Sequence, residues 1–290
     1  MTVASRLAEN SQLSIAVVEA GDFYEKVNGN LSIVPAYGGS VSTPAVDWGF
    51  KTTPQAALGG RSLAYNRGKT VGGSSATNLM AYHRGTIDSY DLWAKAADDQ
   101  SYTFASLLPY FQKSVKYTPP NMSIRAANAS VPSPHADAYS SSGGPLDVTH
   151  TNWADVVSSY GSSAFKEIGV DVLQDLSSGA LIGNQYSPAT VRPSDQTRSS
   201  SESSFWQASV KSGRNNLILY TNSMAKKILF DGSKTATGVS VQTGRDTFTL
   251  TATKEVILSA GAVSLSSPPG DSLFSGNAYA CFSFNPHSYL

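Results

Sequence analysis

A short run of apolar residues near the start of the chain restricts the fold more than any other feature. In the stretch SIAVVEAG, positions 15–18 are all apolar, and Glu19 follows them directly. A continuous apolar run of this length is typical of a parallel strand that is buried on both faces of a sheet. Apolar residues at i,i+4 spacing in residues 2–10 predict a short helix before that strand. We therefore expect an α/β fold whose buried strand ends at an acidic residue.

Glu19 allows two interpretations. In a dinucleotide-binding βαβ unit, a strand leads into a glycine-rich turn and a helix, and an acid about 20 residues further on binds the ribose hydroxyls. Glu19 stands where that acid belongs, and counting back from it puts the glycine turn before residue 1. On this interpretation the first strand and the phosphate loop are missing. On the other interpretation, Glu19 simply ends a strand and is solvated. The strand pattern alone favours neither.

Composition and charge exclude several classes of partner. Among 290 residues, 40% are hydrophobic, and 21 basic side chains balance 21 acidic ones. The chain therefore lacks the basic surface that nucleic acid or an anionic membrane attracts, and no apolar run is long enough to span a bilayer. A single cysteine excludes an internal disulfide and a cysteine-rich metal site. We expect a globular protein that binds no nucleic acid, no membrane and no metal.

The rest of the chain alternates between loop-rich and regular segments. Helical spacing of apolar residues predicts a helix that packs on the core over residues 88–112 and another helix over residues 153–168. Residues 118–145 are rich in Pro, Ser and Asn and indicate an insertion or a domain boundary. Residues 216–252 predict a meander of strands, and residues 254–259 predict a further buried strand. Small residues follow that last strand, where the backbone can approach a ligand.

A glycine-serine tetrad marks a candidate binding loop. Gly72, Gly73, Ser74 and Ser75 leave the backbone almost bare, so that a flat or charged ligand could approach its N–H groups closely. A tetrad of this kind is by itself most often a turn. Its meaning depends on the residues around it.

Those surrounding residues carry a resemblance to a known family. In order along the chain, Glu19, the Asp47-Trp48 loop, the tetrad, Asn78 and the strand KEVILSAGA resemble the glucose-methanol-choline (GMC) family of flavin oxidoreductases, over roughly residues 1–268. The resemblance is strongest to the branch of aryl-alcohol oxidase and glucose dehydrogenase. It implies FAD as the cofactor and a small-molecule alcohol as the substrate. The implied reaction oxidises the alcohol to an aldehyde or ketone by hydride transfer to the flavin.

The resemblance also implies an architecture. The fold is expected to be α/β (α+β overall), with a partial Rossmann-like FAD-binding domain, an antiparallel β meander and part of a substrate domain. The FAD-binding domain would comprise residues 1–117 and 214–268, and the partial substrate-binding domain residues 118–213. Residues 269–290 lose the family pattern and form a doubtful tail.

Site residues follow from the same resemblance. Glu19 would hold the adenosine ribose, the paired glycines would let the backbone approach the pyrophosphate and flavin, and the segment after the tetrad would contact the isoalloxazine ring. The residues implied to contact FAD are Glu19, Gly72, Gly73, Ser74, Asn78, Leu79, Met80, Ala81 and Ala225.

No catalytic residue is implied within the chain. The catalytic histidine of the family lies C-terminal to the matched segment, and His83, in the flavin loop, is interpreted as a structural or surface residue. We expect the chain to be truncated at both ends and inactive as given. No signal peptide precedes the helix, although full-length relatives could be secreted, and Asn30, Asn121 and Asn128 stand in glycosylation sequons.

Three alternatives compete with a flavin enzyme. A truncated or degenerate copy of a GMC enzyme would keep the loop without catalysing the reaction. A nicotinamide-dependent dehydrogenase shares the acid-terminated strand, but gives the tetrad no role. A hydrolase is suggested by the letters GDSL at residues 270–273, yet that motif belongs near the start of its domain, and Phe284 stands where an acid should precede His287.

Overall fold

The computed structural model describes residues 1–265 and 280–283. It divides the chain into two compact units, Met1–Asn78 with Ser201–Leu290, and Leu79–Ser200. The domain bounds expected from the sequence lie elsewhere, at residues 117/118 and 213/214. The assignment of one domain to FAD and the other to substrate stays a prediction. The GDSL letters and His287 lie outside the described residues.

The regular elements are short. The α-helices are α1 (Thr2–Leu7), α2 (Tyr24–Val27), α3 (Asn30–Ile33), α4 (Ile87–Ala97), α5 (Phe104–Ser114), α6 (Gly161–Glu167), α7 (Gln207–Lys211) and α8 (Ala262–Leu265). The strands are β1 (Ile15–Val18), β2 (Val115–Thr118), β3 (Leu146–Thr149), β4 (Leu217–Tyr220), β5 (Ser223–Phe230), β6 (Ala236–Thr243), β7 (Asp246–Thr251), β8 (Val256–Leu258) and β9 (Ala280–Ser283). A π-helix, Glu202–Trp206, leads into α7.

The buried strand predicted from the apolar run is confirmed. β1 pairs in parallel with β4, and all four of its residues are buried. Ile15 and Val17 pack with Ala4 and Ala8 on one side of the sheet. The other two β1 residues pack into a separate apolar cluster with the meander strands. Because both faces are covered, every β1 position must be apolar, which is the pattern seen in the sequence.

The sheet around β1 has the strand order β4-β1-β9-β8, with β9 antiparallel to both β1 and β8. The meander is a separate three-stranded antiparallel sheet of β5, β6 and β7. The sequence placed β4 in the meander, and that assignment is wrong, because β4 joins β1 instead. β8 was expected to be fully buried, but its side chains are only half-buried.

The second unit contains α4, α5, α6 and the parallel pair β2 and β3. The single helix expected over residues 88–112 is in fact two helices, since Asp98 adopts a left-handed conformation at φ 51° and ends α4. Thr86 and Thr103 begin α4 and α5, and each hydroxyl accepts an N–H of the first turn. The expected core contacts are only partly present, because Phe104 is buried while Trp93 is 55% exposed.

The segments between these elements are mostly irregular. Residues 35–66 form loops with two short 3₁₀ helices, Pro35–Ser40 and Ala56–Leu58, in line with the composition of this region. Only the end of the helix expected over residues 153–168 is regular, as α6 and a preceding 3₁₀ turn. No helix among the described residues has the length and apolar character needed to cross a membrane.

Candidate functional site

The glycine-serine tetrad forms a tight loop whose shape requires glycine. Gly72 and Gly73 have φ angles of 102° and 56°, in the left-handed region that disfavours residues with a side chain. The loop is closed by a hydrogen bond of 3.1 Å from the Gly68 N–H to the Ser74 hydroxyl. A Cβ atom on Gly68 would lie 2.3 Å from the carbonyl oxygen of Gly73, so no larger residue fits there without moving the backbone.

This loop lines a cavity of about 340 Å³ in the first unit. The volume is within the range of small-molecule binding pockets. Glu19 and Ala20, at the end of β1, line the same cavity together with Gly72, Gly73 and Ser74. The structure therefore brings the acid that ends the strand to the loop that lies far along the chain.

A third segment completes the wall. The residues after β8, which are Ser259, Ala260, Gly261, Ala262 and Val263, also line the cavity. The sequence had marked the small residues after this strand as a place where the backbone can approach a ligand. Their presence at the same cavity as Glu19 follows from the topology, because both segments leave strands of the same sheet.

Glu19 is 1% exposed, so the interpretation that it is solvated is wrong. One of its carboxylate oxygens, Oε1, accepts the Gly21 N–H at 2.7 Å. Its own backbone N–H donates to the Tyr220 carbonyl at 2.9 Å, which continues the pairing of β1 with β4. A carboxylate has four lone-pair sites, so Glu19 at the cavity wall can also accept hydrogen bonds from a ligand that carries donors.

The loop offers hydrogen-bond donors of its own. The Gly73 N–H donates to the Thr70 carbonyl at 2.8 Å. Among the described residues, the backbone N–H groups of Gly72 and Ser74 have no hydrogen-bond acceptor. Both residues line the cavity. Backbone N–H groups in a glycine-rich turn are suited to anionic oxygens such as those of a diphosphate.

An aromatic pair forms another part of the wall. Trp48 and Phe50 are stacked, with ring centroids 6.4 Å apart, and both line the cavity. The Lys69 ammonium lies 4.9 Å from the centre of the Trp48 ring, a cation–π contact. The Asp47-Trp48 loop was part of the resemblance in the sequence, but its place at the cavity had no sequence signal of its own.

The remaining predicted site residues are not among those that line the cavity. Ala225 is fully buried on β5, in the apolar cluster beside β1. Asn78 ends the first segment of the first unit. Leu79, Met80 and Ala81 belong to the second unit, where Leu79 is 71% exposed and Met80 is 5% exposed. The roles of these residues toward FAD stay predictions.

The second unit contains a buried polar cluster that the sequence did not indicate. His150 is 4% exposed, and its Nε2 donates to the Tyr186 carbonyl at 3.1 Å while its Nδ1 accepts from the Tyr117 hydroxyl at 3.1 Å. Burial, with a smaller effect of the nearby Arg125, lowers the pKa of His150 to about 4, although the hydrogen bond to the Tyr186 carbonyl acts in the opposite direction. Burial also raises the pKa values of Tyr117 and Tyr139 to about 12. These groups are therefore neutral near pH 7.

Asp175 ties two loops of this cluster together. Its Oδ2 lies 2.7 Å from the Nδ1 atom of His135, and its Oδ1 accepts the N–H groups of Ser177 and Ser178. Burial raises the pKa of Asp175, but hydrogen bonds from His135, Ser177 and Ser178 together outweigh burial and lower the pKa to about 2. The Ser178 hydroxyl and the Asp175 carboxylate both contact Nδ1 of His135. A catalytic triad needs them on opposite ring nitrogens, so these three residues do not form one.

Comparison with known protein families identifies the family of the chain. The family model described as GMC oxidoreductase matches residues 13–269, which is most of the chain.

The chain belongs to the GMC oxidoreductase family.

The relatives of this GMC chain agree with that assignment. It is 45% identical over 269 residues to "Glucose methanol choline oxidoreductase atC" of Aspergillus terreus, covering 90% of this chain and 43% of that protein. It is 44% identical to patulin synthase of Aspergillus clavatus, covering 90% of this chain and 42% of that protein. The chain therefore spans less than half of the length of these relatives. Enzymes of this family act on small-molecule substrates.

Solved structures show the same fold. An FAD-dependent oxidoreductase from Chaetomium thermophilum matches with a TM-score of 0.77 and 30% identity, covering 88% of this chain and 42% of that one. A fungal aryl-alcohol oxidase matches with a TM-score of 0.73 at 23% identity, covering 86% of this chain and 42% of that one. The expected α/β fold is confirmed. The GMC family and its FAD-dependent neighbours likewise confirm FAD as the expected cofactor.

The cavity fits part of this cofactor. A buried carboxylate suits the ribose hydroxyls, backbone N–H groups without acceptors suit the diphosphate, and glycines leave room for the close approach of both. Within the described residues, no group of His, Cys, Asp and Glu side chains could hold a metal ion.

Proposed function

We propose that the chain is the FAD-binding part of a flavin-dependent oxidoreductase that converts a small alcohol into an aldehyde or ketone. The observation that carries the proposal is the meeting of Glu19 and the Gly72–Gly73 loop at one cavity. In a nicotinamide-dependent dehydrogenase, the acid would have a role and the loop would not. A site that uses both favours FAD.

Each segment of the cavity wall then has a task. The Glu19 carboxylate accepts hydrogen bonds from the hydroxyls of the adenosine ribose. The backbone N–H groups of Gly72 and Ser74 donate to diphosphate oxygens. Trp48 and Phe50 contribute apolar surface to the cavity wall. The contacts with FAD that the resemblance implies for Asn78, Leu79, Met80, Ala81 and Ala225 remain predictions within this proposal.

Bound FAD would supply the redox chemistry, as the acceptor of the hydride that leaves the alcohol carbon. The proton of the alcohol must pass to a base whose pKa is close to neutral. No histidine lines the cavity among the described residues. The resemblance assigns the base to a histidine C-terminal to the matched segment, so the proposed task of this chain is to bind and orient the cofactor. Neither nucleic acid nor a membrane has a part in this proposal.

Ligand titrations of the chain test the proposal. The protein is stripped of bound flavin and titrated with FAD, ADP, FMN and NAD in parallel. We expect binding of FAD and of ADP, which carries the adenosine ribose and diphosphate. In Glu19→Gln, we expect both affinities to fall by about tenfold, the size of a lost hydrogen bond to a charged group. Affinity for FMN, which lacks the adenosine, should not change.

A matched control separates this loss from general damage. Glu255→Gln removes a carboxylate that is exposed, and it should bind FAD like the unaltered chain. Thermal unfolding of each variant shows whether it remains folded. Retention of NAD instead of FAD would favour a nicotinamide-dependent enzyme. A folded chain that binds none of the four ligands would favour a degenerate copy that has lost the cofactor.

A further inference from the structure

Two serine hydroxyls meet at one carbonyl oxygen of the glycine loop. The Ser75 hydroxyl donates to the Gly72 carbonyl at 2.6 Å, and the Ser201 hydroxyl donates to the same oxygen at 3.2 Å. The Ser201 N–H donates to the Ser75 hydroxyl oxygen at 2.9 Å. The two hydroxyl oxygens also lie 3.1 Å apart, so these four contacts form a closed network around the peptide that follows Gly72. We call Ser75, Ser201 and the Gly72 carbonyl the serine clamp.

The serine clamp holds both ends of that peptide group. Its carbonyl oxygen has two lone pairs, and the two serine hydroxyls use both of them. Its N–H, which belongs to Gly73, donates to the Thr70 carbonyl at 2.8 Å. The peptide therefore has all of its hydrogen-bonding capacity satisfied within the first unit. Because glycine is free to adopt many backbone angles, such restraint is needed to keep a bare loop in one conformation.

Ser201 is itself held in place by its backbone. Its carbonyl accepts the Trp206 N–H at 3.2 Å, an i→i+5 bond that begins the π-helix Glu202–Trp206. Single-turn π-helices are frequent at functional sites, where they shift one residue out of the regular helical register. Ser201, directly before the π-helix, lines the cavity, and its hydroxyl donates to Gly72, which lies 129 residues away in sequence.

We propose that Ser75 and Ser201 are positioning residues for the cofactor loop. They fix the peptide between Gly72 and Gly73, and thereby fix the neighbouring N–H groups of Gly72 and Ser74 that bind the diphosphate. This inference rests on the proposed function, since it assigns to the clamp a role in binding FAD. The clamp hydroxyls act through the backbone of the loop.

Hydrogen exchange of the flavin-free chain tests the clamp without any cofactor. Exchange of backbone amides in residues 68–78 is followed by mass spectrometry for the unaltered chain, Ser201→Ala, Ser201→Thr and Ser233→Ala. Removal of the Ser201 hydroxyl should speed exchange in this segment by about tenfold, as expected for one lost hydrogen bond to a partly buried carbonyl. Ser201→Thr keeps the hydroxyl and should restore slow exchange. The Ser233 hydroxyl lies in an exposed turn, so Ser233→Ala is the control.

Titration with FAD gives the second readout. Ser201→Ala should weaken FAD binding by about tenfold while the thermal unfolding midpoint stays close to that of Ser233→Ala. Unchanged exchange in Ser201→Ala, or equally fast exchange in Ser201→Ala and Ser201→Thr, would overturn the clamp. If Ser201→Ala and the unaltered chain exchange at the same rate, the serine clamp is contradicted but the proposed function is not. Failure of the unaltered chain to bind FAD contradicts the proposed function, and the exchange data then decide the clamp by themselves.

Discussion

The cavity of the first unit and the polar cluster of the second unit differ in how much open space surrounds their buried polar groups. The cavity measures about 340 Å³ and is lined mainly by glycine, alanine and serine around a buried Glu19, together with the larger side chains of Trp48 and Phe50. The space beside Tyr117, Tyr139 and His150 measures about 10 Å³, no more than a single water would need. Small side chains keep the first region open, while large side chains that satisfy one another close the second.

Because of this difference, we expect the cavity to determine ligand binding and the cluster to contribute to the stability of the fold. In the cavity, the backbone supplies donors and a carboxylate is placed at the wall, an arrangement that leaves capacity for a ligand. In the cluster, the polar atoms of His150 and the Tyr139 hydroxyl already have protein partners. Substitutions in the cavity should therefore change ligand affinity, and substitutions in the cluster should change the free energy of unfolding.

The largest effect on FAD affinity is expected from adding a side chain at Gly68, which packs against the glycine-serine loop. Gly68→Ala would put a Cβ atom 2.3 Å from the carbonyl oxygen of Gly73, an overlap with backbone that only movement of the loop can relieve. We expect FAD affinity to fall by more than tenfold and the free energy of unfolding to fall by about 1–3 kcal/mol. Calorimetric titration with FAD and urea unfolding measure the two quantities.

Gly232→Ala is the matched control for this substitution. No atom lies within 4 Å of a Cβ built on Gly232, so both quantities should stay unchanged. If Gly68→Ala bound FAD as tightly as the control, the loop would not be the binding element. The proposed difference between the two regions would then fail.

The next effect is a pH dependence that belongs to the cluster. The pKa of His150 is lowered from 6.5 to about 4, chiefly by burial, so the unfolded chain binds its proton first as the pH falls. Stability should therefore decrease between pH 6.5 and pH 4, by on the order of 3 kcal/mol, and remain level just above pH 6.5 with respect to this group. Urea unfolding at a series of pH values measures the decrease.

Removal of the imidazole identifies the group responsible. His150→Gln should be less stable at pH 7 and should lose most of the decrease between pH 6.5 and pH 4. Asp175, whose pKa is lowered to about 2, contributes stability that is lost as the pH falls from about 4 through 2. That lower window should persist in His150→Gln. An unchanged slope above pH 4 in the variant would show that His150 is not the cause.

The sequence predicted the cavity far better than the cluster, and the reason is physical. The β1 run and the glycine tetrad are local patterns, because burial on both faces demands consecutive apolar residues and a positive φ demands glycine. The meeting of Tyr117 with His150 depends instead on residues 33 positions apart in segments without periodicity. The resemblance supplied the site residues as one set, but it did not indicate that Ser201 reaches the loop.

The helix boundaries show the same limit. The sequence predicted one helix over residues 88–112, where the structure has α4 and α5. Apolar spacing continued across the break, so it gave no sign of one. Thr86 and Thr103 are good N-cap residues, and the second of them, directly before Phe104, was a local signal for a new helix start. The left-handed Asp98 that ends α4 had no such signal.

The smallest expected effect isolates one hydroxyl of the cluster. The Tyr139 hydroxyl lies 2.8 Å from the Ser177 hydroxyl, and its ring stacks on Tyr117 with centroids 4.7 Å apart. Tyr139→Phe keeps the stacked ring and removes only the hydrogen bond, so the free energy of unfolding should fall by about 1 kcal/mol. FAD affinity should not change, because this residue does not line the cavity. Tyr102→Phe, at a partly exposed ring, is the control for both measurements. A change in FAD affinity without a change in stability would mean that the closed cluster takes part in binding, and the distinction between the two regions would have to be abandoned.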